Sequence, residues 1–245
     1  MGTLDGRVAI VTGSSSGIGE ETARRLAAVG ASVVVNSASS VAAGEAVAAS
    51  LGDGSLYVQA DISDQAQGKA LIDATIAHFG RLDILVNNAG WTTRIPHGDL
   101  EALTDEIFQR TFEVNVFGTW WLTKAAMPHL RNSPDPNVVN ITSVAGLRPV
   151  GSSVAYAMSK AALNHMTALL AKSCGPVRVN AVAPGLVATP WTSTWQDQHA
   201  AVASIAPLHR SATPADCAEA VMAIIANTYM TGHVIVVDGG STLVS

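Results

Sequence analysis

Charged residues of either sign are scarce in this chain of 245 residues. They make up 13% of it, with 14 Lys or Arg against 19 Asp or Glu and a formal net charge of −5. No run of basic residues occurs. Nucleic acids and anionic membrane surfaces attract proteins through clustered positive charge. We therefore expect no nucleic-acid partner and no membrane association.

Cysteine and long apolar runs are also lacking. Cys174 and Cys217 form no CxxC pair, which gives no support to a disulfide framework and favours a reducing cytoplasmic compartment. The seven histidines include no pair at helical spacing, so we expect no metal site. No apolar run approaches the ~18 residues of a membrane span. The opening residues lack the basic start and long apolar core of a signal peptide.

Apolar residues are abundant, at 48%, and there are 21 glycines. Short β-branched runs alternate with longer helical patterns along the chain. The runs predict seven strands, at 7–11, 31–36, 55–61, 82–90, 137–142, 177–185 and 233–240. The longer patterns predict helices at 17–30, 41–51, 65–79, 104–130, 154–173 and 213–226, with an irregular stretch at 186–212. Apolar strands separated by helices indicate an α/β fold, a doubly wound Rossmann fold with a seven-stranded parallel sheet, in one domain spanning 1–245.

A glycine-rich turn joins the first predicted strand to the first helix. It reads TGSSSGIG, with Gly13, Gly17 and Gly19 in the spacing G-x-x-x-G-x-G. Glycine allows a tight turn and a close approach of the backbone to a ligand. The N–H groups that open the next helix favour an anion. The turn predicts a site for the pyrophosphate of a dinucleotide, with a purely structural turn as the alternative.

The residues that follow the second predicted strand bear on which dinucleotide binds. An acidic residue here binds the ribose hydroxyls of NAD and repels the 2′-phosphate of NADP. The sequence has the neutral Asn36, Ser37 and Ser39, and no acid, arginine or lysine within 36–40. We predict that NADP(H) is preferred. NAD(H) stays possible, because neutral hydrogen bonds to phosphate are weaker than charged ones.

The stretch YAMSK, at 156–160, places a phenol and an ammonium four positions apart. On a helix, Tyr156 and Lys160 would share one face. A free tyrosine has a pKa of about 10. A neighbouring ammonium favours the phenolate and would lower that pKa toward the working pH of a general acid–base catalyst. Taken alone, such a pair is also common on helix surfaces.

Three motifs, TGSSSGIG at 12–19, NNAG at 87–90 and YAMSK at 156–160, occur in this order. Together they resemble the short-chain dehydrogenase/reductase family, in particular its single-domain subgroup with 3-oxoacyl-carrier-protein reductases and carbonyl reductases. The resemblance covers nearly the whole chain. It implies an oxidoreductase that transfers a hydride between a nicotinamide cofactor and a ketone or secondary alcohol.

The resemblance also implies a catalytic tetrad, which Asn115, Ser143, Tyr156 and Lys160 match. Tyr156 would exchange a proton with the substrate oxygen, and Ser143 would donate a hydrogen bond to that oxygen. Lys160 would hold the nicotinamide ribose as well as stabilise the phenolate. Asn115 would fix a water that links Lys160 to solvent.

The same resemblance implies a cofactor site built from several segments. In it, Asp61 would bind the adenine amine and Thr189 the nicotinamide carboxamide. The expected cofactor-binding residues are Gly13, Ser15, Ser16, Gly17, Ile18, Gly19, Asn36, Ser37, Ala38, Ser39, Asp61, Ile62, Asn88, Ala89, Gly90, Tyr156, Lys160, Pro184, Gly185, Val187 and Thr189.

A substrate pocket should lie beyond the carboxyl ends of the strands. Its expected residues are Trp91, Ser143, Val144, Ala145, Val150, Tyr156, Leu186, Trp191 and Trp195. These are mostly apolar and aromatic, which predicts a small-molecule substrate that is a hydrophobic or aryl ketone or its alcohol. The stretch 186–212 is predicted to form a substrate lid. By resemblance, the helices at 104–130 and 154–173 would form the interface of a homotetramer.

Two alternative functions stay open. One is the reduction of a 3-oxoacyl thioester carried by acyl-carrier protein or coenzyme A. The other, of a different class, is a non-catalytic regulator that senses a dinucleotide. The complete set of Asn115, Ser143, Tyr156 and Lys160 argues against the regulator.

Overall fold

Seven parallel strands form one sheet in the computed structural model, which describes residues 4–244. Residues 1–3 and 245 of the predicted domain lie outside the described part. The order of the strands across the sheet is β3-β2-β1-β4-β5-β6-β7. The strands are β1 Val8–Val11, β2 Ser32–Ser37, β3 Ser55–Gln59, β4 Ile84–Asn87, β5 Asn137–Ile141, β6 Arg178–Pro184 and β7 Val234–Val237. The predicted doubly wound fold is confirmed, and the strands differ from their predicted bounds only at the ends.

Helices cover both faces of this sheet. They are α1 Gly17–Ala28, α2 Val41–Leu51, α3 Gln65–Phe79, α4 Asp105–Phe112, α5 Thr119–Leu130, α6 Val154–Ser173, α7 Gln196–Ile205, α8 Pro214–Ala226 and α9 Ser241–Val244. One apolar core includes Leu26 of α1 and Val221 of α8. A second core includes Leu71 of α3 and Leu122 of α5. Apolar residues therefore point to both faces of each inner strand, as expected for a buried parallel sheet.

The long helix predicted over 104–130 is interrupted. A π-helical turn, Glu113–Gly118, separates α4 from α5. Such turns insert one residue into a helix and are often found at functional sites. Within this turn, the backbone of Gly118 packs so tightly that an added Cβ would lie 2.7 Å from the carbonyl oxygen of Ile62. The turn also holds Asn115, which is fully buried.

The carboxyl ends of the central strands lie at one edge of the sheet because every neighbouring pair is parallel. The glycine turn follows β1, the NNAG segment closes β4, and Ser143 follows β5. Strand β6 ends at Pro184, which leads into the 186–212 stretch. The fold thus gathers all the predicted motifs at this edge.

Candidate active site

A cleft of about 1190 Å³ runs along the carboxyl edge of the sheet. All the residues predicted for the cofactor and substrate sites line it except Gly19. Of the predicted catalytic residues, Ser143, Tyr156 and Lys160 line it and Asn115 does not. One cleft therefore brings together segments that are far apart in the sequence.

The glycine turn shapes the wall of the cleft under β1. Gly13 has a φ of +61°, and a Cβ there would lie 2.9 Å from the Cα of Ala89. Gly19 lies behind this wall, where a Cβ would meet the side chain of Asn88 and the carbonyl oxygen of Gly13 at 2.5 Å. Gly19 is therefore required for packing of the turn against the NNAG segment, and its assignment to the cofactor site stays a prediction.

The NNAG segment is fastened to the glycine turn by hydrogen bonds. The Thr12 hydroxyl accepts from the backbone N–H groups of Asn88 and Ala89, both at 3.0 Å. The Asn88 side-chain amide donates to the carbonyl oxygens of Thr12 and Gly13, at 2.8 and 3.0 Å. The last two bonds use both N–H groups of the Asn88 side-chain amide, so this side chain stabilises the conformation of the glycine turn.

The start of α1 fits the pyrophosphate of a dinucleotide. Ser16, the residue that precedes α1, has extended backbone angles but makes no capping hydrogen bond with its side chain. By contrast, Asp64, Ser153 and Thr213 cap α3, α6 and α8. The first N–H groups of a helix need an external acceptor, and the residues that open α1 line the cleft. The residues present therefore fit a bound anion at this place.

The last two residues of β2, Asn36 and Ser37, use their side chains in hydrogen bonds within the protein. The Asn36 amide is buried and donates to the carbonyl oxygens of Val58 and Ala60, at 3.0 and 3.1 Å. The Ser37 hydroxyl is paired with that of Tyr57 at 2.9 Å. Both N–H groups of the Asn36 amide are therefore engaged and the Ser37 hydroxyl is shared with Tyr57, while contact of these residues with a 2′-phosphate stays a prediction. The exposed residues at this end of the cleft are Ala38, Ser39 and Ser40.

Asp61 belongs to a small polar cluster at the far end of the cleft. Its carboxylate accepts from the backbone N–H and hydroxyl of Ser63, at 2.9 and 2.6 Å, and from Arg110 at 3.2 Å. Burial alone would raise the pKa of Asp61, but these hydrogen bonds outweigh burial and hold the pKa below its ordinary value. Asp61 is therefore an ionised acceptor at neutral pH.

Tyr156 and Lys160 lie one helical turn apart on α6, as predicted. The Lys160 Nζ lies 5.6 Å from the centroid of the Tyr156 ring and donates to the carbonyl oxygen of Ile141 at 2.9 Å. Burial lowers the pKa of Lys160 to about 8. Burial raises the pKa of Tyr156 to about 12, and the neighbouring Ser143 hydroxyl opposes this increase.

In the protein without cofactor, burial moves the pKa of Tyr156 in the direction opposite to the predicted decrease. Desolvation disfavours both the phenolate and the ammonium. In the protein alone, Tyr156 is therefore a neutral phenol that can donate a proton. Because Tyr156 is only half-buried by solvent accessibility, water in the cleft reduces the effect of desolvation on its pKa.

Ser143 is almost fully buried at the end of β5. Its Oγ accepts from the N–H of Ala145 at 3.1 Å and lies 3.5 Å from the carbonyl oxygen of Pro184. This long contact leaves the hydroxyl hydrogen available to a better acceptor. Ser143 thus provides a donor beside the phenol of Tyr156.

Asn115 does not reach the cleft. Its Oδ1 accepts from the N–H of Trp91 at 2.7 Å, and its Nδ2 donates to the carbonyl oxygen of Trp91 and to Ser159 Oγ, both at 3.0 Å. Both amide donors are used within the protein, so Asn115 acts as a positioning residue. Its predicted role, fixing a water that links Lys160 to solvent, stays a prediction.

The substrate side of the cleft contains residues that motif matching did not predict. They include Thr92, Arg94, Ile95, His97, Ser152 and Gln198. Arg94 and His97 follow the carboxyl end of β4, where ligand sites are expected in this class of fold. That position was the available signal, although no motif covered these residues.

The 186–212 stretch contains α7, on which none of the residues is fully buried. His199 of α7 lies 2.7 Å from Ser211 Oγ and 3.3 Å from the carbonyl oxygen of Thr192. Thr192 Oγ1 in turn donates to the carbonyl oxygen of Val187 at 2.6 Å. One histidine therefore connects this short helix to the residues that line the cleft.

Two kinds of feature are absent from residues 4–244. No helix there combines the length and apolarity needed to cross a membrane. No group of three or more potential metal ligands occurs there either.

A family model described as enoyl-(acyl carrier protein) reductase matches residues 13–242. The chain is 54% identical over 241 residues, 96% of each chain, to a protein of Streptomyces violaceoruber named as the putative ketoacyl reductase 2 of the granaticin polyketide synthase. A solved short-chain dehydrogenase/reductase of Brucella melitensis superimposes with a TM-score of 0.92, at 29% identity, over 98% of this chain and 99% of the other.

This chain belongs to the short-chain dehydrogenase/reductase family. It is also similar to the 3-ketoacyl-(acyl-carrier-protein) reductase of Brucella melitensis, solved in complex with NADH, with a TM-score of 0.92 and 33% identity over 98% of this chain and 100% of that one. As a member of this family, the protein is an oxidoreductase that uses a nicotinamide cofactor.

Proposed function

We propose that this protein is an NADP(H)-preferring carbonyl reductase for hydrophobic or aryl ketones, which also oxidises the corresponding secondary alcohols. The observation that carries the proposal is the phenol of Tyr156, beside the Ser143 hydroxyl and one turn from Lys160, in a cleft lined by Trp91 and Trp195. Aromatic walls favour a flat apolar substrate.

Ser143, Tyr156 and Lys160 each have a separate role in the transfer of the proton. When bound, the nicotinamide cofactor supplies the hydride. The Ser143 hydroxyl donates to the substrate carbonyl oxygen and stabilises its developing negative charge. Tyr156 donates its proton to that oxygen, and its raised pKa keeps the proton in place at neutral pH. Lys160 stabilises the phenolate that results.

Preference for NADP(H) is supported by the start of α2. Ser40 precedes α2 without a side-chain cap, and the first turn of α2 has no acidic residue. Ala38, Ser39 and Ser40 are exposed there. A phosphate at this place would accept from free N–H groups and serine hydroxyls, whereas a carboxylate that would repel it is absent from the described residues 36–40.

The second candidate is a 3-oxoacyl thioester reductase. It is favoured by the names of two similar proteins, the granaticin ketoacyl reductase and the 3-ketoacyl-carrier-protein reductase. A β-keto thioester presents the same ketone to Tyr156 and Ser143. Such a substrate is attached to the long polar arm of its carrier, and that arm must extend outside the cleft.

A substrate and coenzyme panel tests the proposal. The purified protein is assayed by NADPH and NADH absorbance with an aryl ketone, an aliphatic ketone and a 3-oxoacyl N-acetylcysteamine thioester. We expect the highest kcat/KM for the aryl ketone with NADPH. Turnover of the thioester alone would establish the second candidate, and tight NADPH binding without any turnover would establish a regulator.

We also propose a homotetramer and a mobile lid. Phe117 in the π-helical turn, Trp120 of α5, and Met158 and Leu169 of α6 are exposed apolar side chains. Their exposure supports an interface in which a second copy of the chain covers these side chains. The absence of fully buried residues on α7 supports a lid at 186–212. Light scattering tests the first proposal, and protection of α7 from hydrogen exchange by NADPH tests the second.

A further inference from the structure

We propose that Arg94 and His97 bind an anionic group, a carboxylate, on the ketone substrate. This inference rests on the proposed function, because it assigns a substrate class to the same cleft. It makes the preferred substrate an aryl or hydrophobic keto acid, with a carboxylate remote from the reacting carbonyl.

The loop that contains Arg94 is fixed relative to the catalytic residues. At its start, the backbone of Trp91 is held by Asn115. The Thr92 hydroxyl then pairs with Ser152 Oγ at 2.7 Å, and the N–H of Ile95 donates to the carbonyl oxygen of Ser152 at 2.7 Å. Ser152 is four residues before Tyr156. The position of this loop is therefore set by the segment that leads into the catalytic helix.

Arg94 lines the cleft with a guanidinium that has spare donors. It donates to Gln198 Oε1 of α7 at 3.3 Å, and no carboxylate among residues 4–244 forms a salt bridge with it. A guanidinium has five N–H donors. Of the described residues that line the cleft, Asp61 is the one carboxylate, and it is paired with Arg110. Arg94 lines the cleft with its side chain exposed, so its guanidinium is hydrated and has no carboxylate partner among residues 4–244.

His97 adds an unsatisfied polar atom to the same loop. Its Nε2 is shielded from solvent, and no group among residues 4–244 hydrogen-bonds to it. A shielded nitrogen without a partner is unfavourable and rare in folded proteins. A ligand oxygen would satisfy it. Arg94 and His97 belong to the same loop and line the same cleft, so each can offer a donor to an oxygen-bearing group bound there.

The chemistry of these donors selects an anion. Arginine pairs with planar carboxylates through parallel hydrogen bonds, and such charge-assisted bonds are stronger than neutral ones. The phosphate of a thioester carrier arm offers similar oxygens. Trp91 and Val150 line the same cleft, so the apolar or aryl body that carries the carboxylate can lie against them.

Paired substrates test this assignment. Acetylbenzoates and acetylphenylacetates are assayed with NADPH, each against its methyl ester, and the acid-to-ester ratio of kcat/KM is measured. We expect the wild type to favour the acids. Arg94→Gln should lower the ratio roughly 10- to 100-fold, mainly through the KM of the acid, because it removes a charged hydrogen bond. Arg94→Lys should restore part of the ratio.

Arg148→Gln provides the matched control. Arg148 is an exposed arginine of the neighbouring loop that donates to the carbonyl oxygen of Leu147 and does not line the cleft. Its substitution should leave the ratio at the wild-type value. An equal loss in Arg148→Gln would indicate a general charge effect and overturn the assignment.

The outcomes distinguish a failure of the anion site from a failure of the proposed reductase function. If the wild type reduces acids and esters equally, and Arg94→Gln leaves the ratio unchanged, the anion site is wrong while the reductase stands. If none of the ketones is reduced, the proposed function itself fails. A 3-oxoacyl pantetheine thioester is also compared with and without its phosphate. A preference for the phosphate that only Arg94→Gln removes would overturn the carboxylate in favour of the carrier arm.

Discussion

The side-chain amide of Asn115 pairs with both backbone polar groups of Trp91, accepting from its N–H at 2.7 Å and donating to its carbonyl oxygen at 3.0 Å. The π-helical turn Glu113–Gly118 brings the amide to this position. An ideal Cβ on the intervening Gly90 would lie 3.4 Å from Asn115 Oδ1 and 3.6 Å from Lys160 Nζ. Asn115 therefore anchors Trp91, which lines the same cleft as Lys160.

Replacing this anchor should affect substrate binding more than coenzyme binding. Asn115→Ala leaves the N–H and carbonyl of Trp91 without their partner, so we expect a loss of about 1–3 kcal/mol in unfolding free energy. Displacement of the loop should lower kcat/KM for the ketone by roughly 100-fold. Urea unfolding and steady-state kinetics check both values. Ser159→Ala, which removes one of three bonds to the Asn115 amide, should have a smaller effect.

Lys160→Met should stabilise the protein at neutral pH although it impairs catalysis. Burial lowers the pKa of Lys160 from its ordinary value of 10.5 to about 8, so below pH 8 the folded state carries a buried ammonium at a cost. That cost is about 3 kcal/mol, from which the lost hydrogen bond to Ile141 subtracts about 1 kcal/mol. We expect a net gain of about 2 kcal/mol in unfolding free energy at pH 7.

The pH dependence of this gain identifies its cause. Between pH 8 and 10.5 the unfolded chain binds the proton more strongly than the folded protein, so wild-type stability rises relative to the variant. The advantage of Lys160→Met should therefore shrink across that window. An advantage that stays constant from about pH 7 to pH 10 would show that packing, not the charge, explains it.

Coenzyme choice should respond to Ala38, which is exposed after β2 and lines the cleft. Ala38→Arg adds a guanidinium, and we expect the kcat/KM ratio of NADPH to NADH to rise by about tenfold. Ala38→Asp should lower that ratio by about tenfold through repulsion of the 2′-phosphate. Equal ratios in both variants would place the 2′-position elsewhere. Ala49, exposed near the C-terminal end of the following helix α2, provides a matched control for added charge.

Asp83 connects β1 to the start of β4, at the end of the sheet away from the cleft. Its fully buried carboxylate accepts from Arg81 at 2.6 Å and from the N–H of Val8 at 2.9 Å. Asp83→Asn should cost about 1–3 kcal/mol of unfolding free energy, because it removes the buried carboxylate that accepts from Val8, Ser133 and the partly exposed Arg81. In contrast, Asp73→Asn, which breaks an exposed pair with Lys69, should cost under about 1 kcal/mol.

Lowering the pH should reduce the difference in unfolding free energy between Asp83→Asn and the wild type. Burial alone would raise the pKa of Asp83, but Arg81, Ser133 and Val8 outweigh burial and hold the pKa below 3.8. A carboxyl with a depressed pKa contributes stability above its unfolded pKa and loses it as the pH falls through the folded value. Urea midpoints measured from neutral pH downward should therefore converge below about pH 4.

The sequence predicted the sheet and the gathering of its motifs, since apolar strands and glycine turns are local patterns. It did not predict the break in the helix at 104–130, because one inserted residue barely alters helical periodicity. The orientation of Asn36 was also missed. Its amide is turned toward β3 by contacts with Val58 and Ala60, which are distant in sequence.

The directions of the pKa shifts of Tyr156 and Lys160 were likewise not predicted from the sequence. The spacing of Tyr156 and Lys160 predicted that they would be neighbours, and they are. Burial determines the direction of both pKa shifts, and burial depends on packing of α6 against the sheet. Arg94 and His97 belong to no motif, so only the folded cleft identified them.

The central claim is that Tyr156 is the proton donor, and Tyr156→Phe tests it most directly. Single-turnover reduction of an aryl ketone with NADPH is measured beside NADPH binding by fluorescence. The phenyl ring preserves the packing on α6 and removes only the hydroxyl. We predict a loss in rate of roughly 100- to 10,000-fold while NADPH still binds. A variant that binds NADPH and reduces the ketone within about tenfold of the wild-type rate would contradict the account.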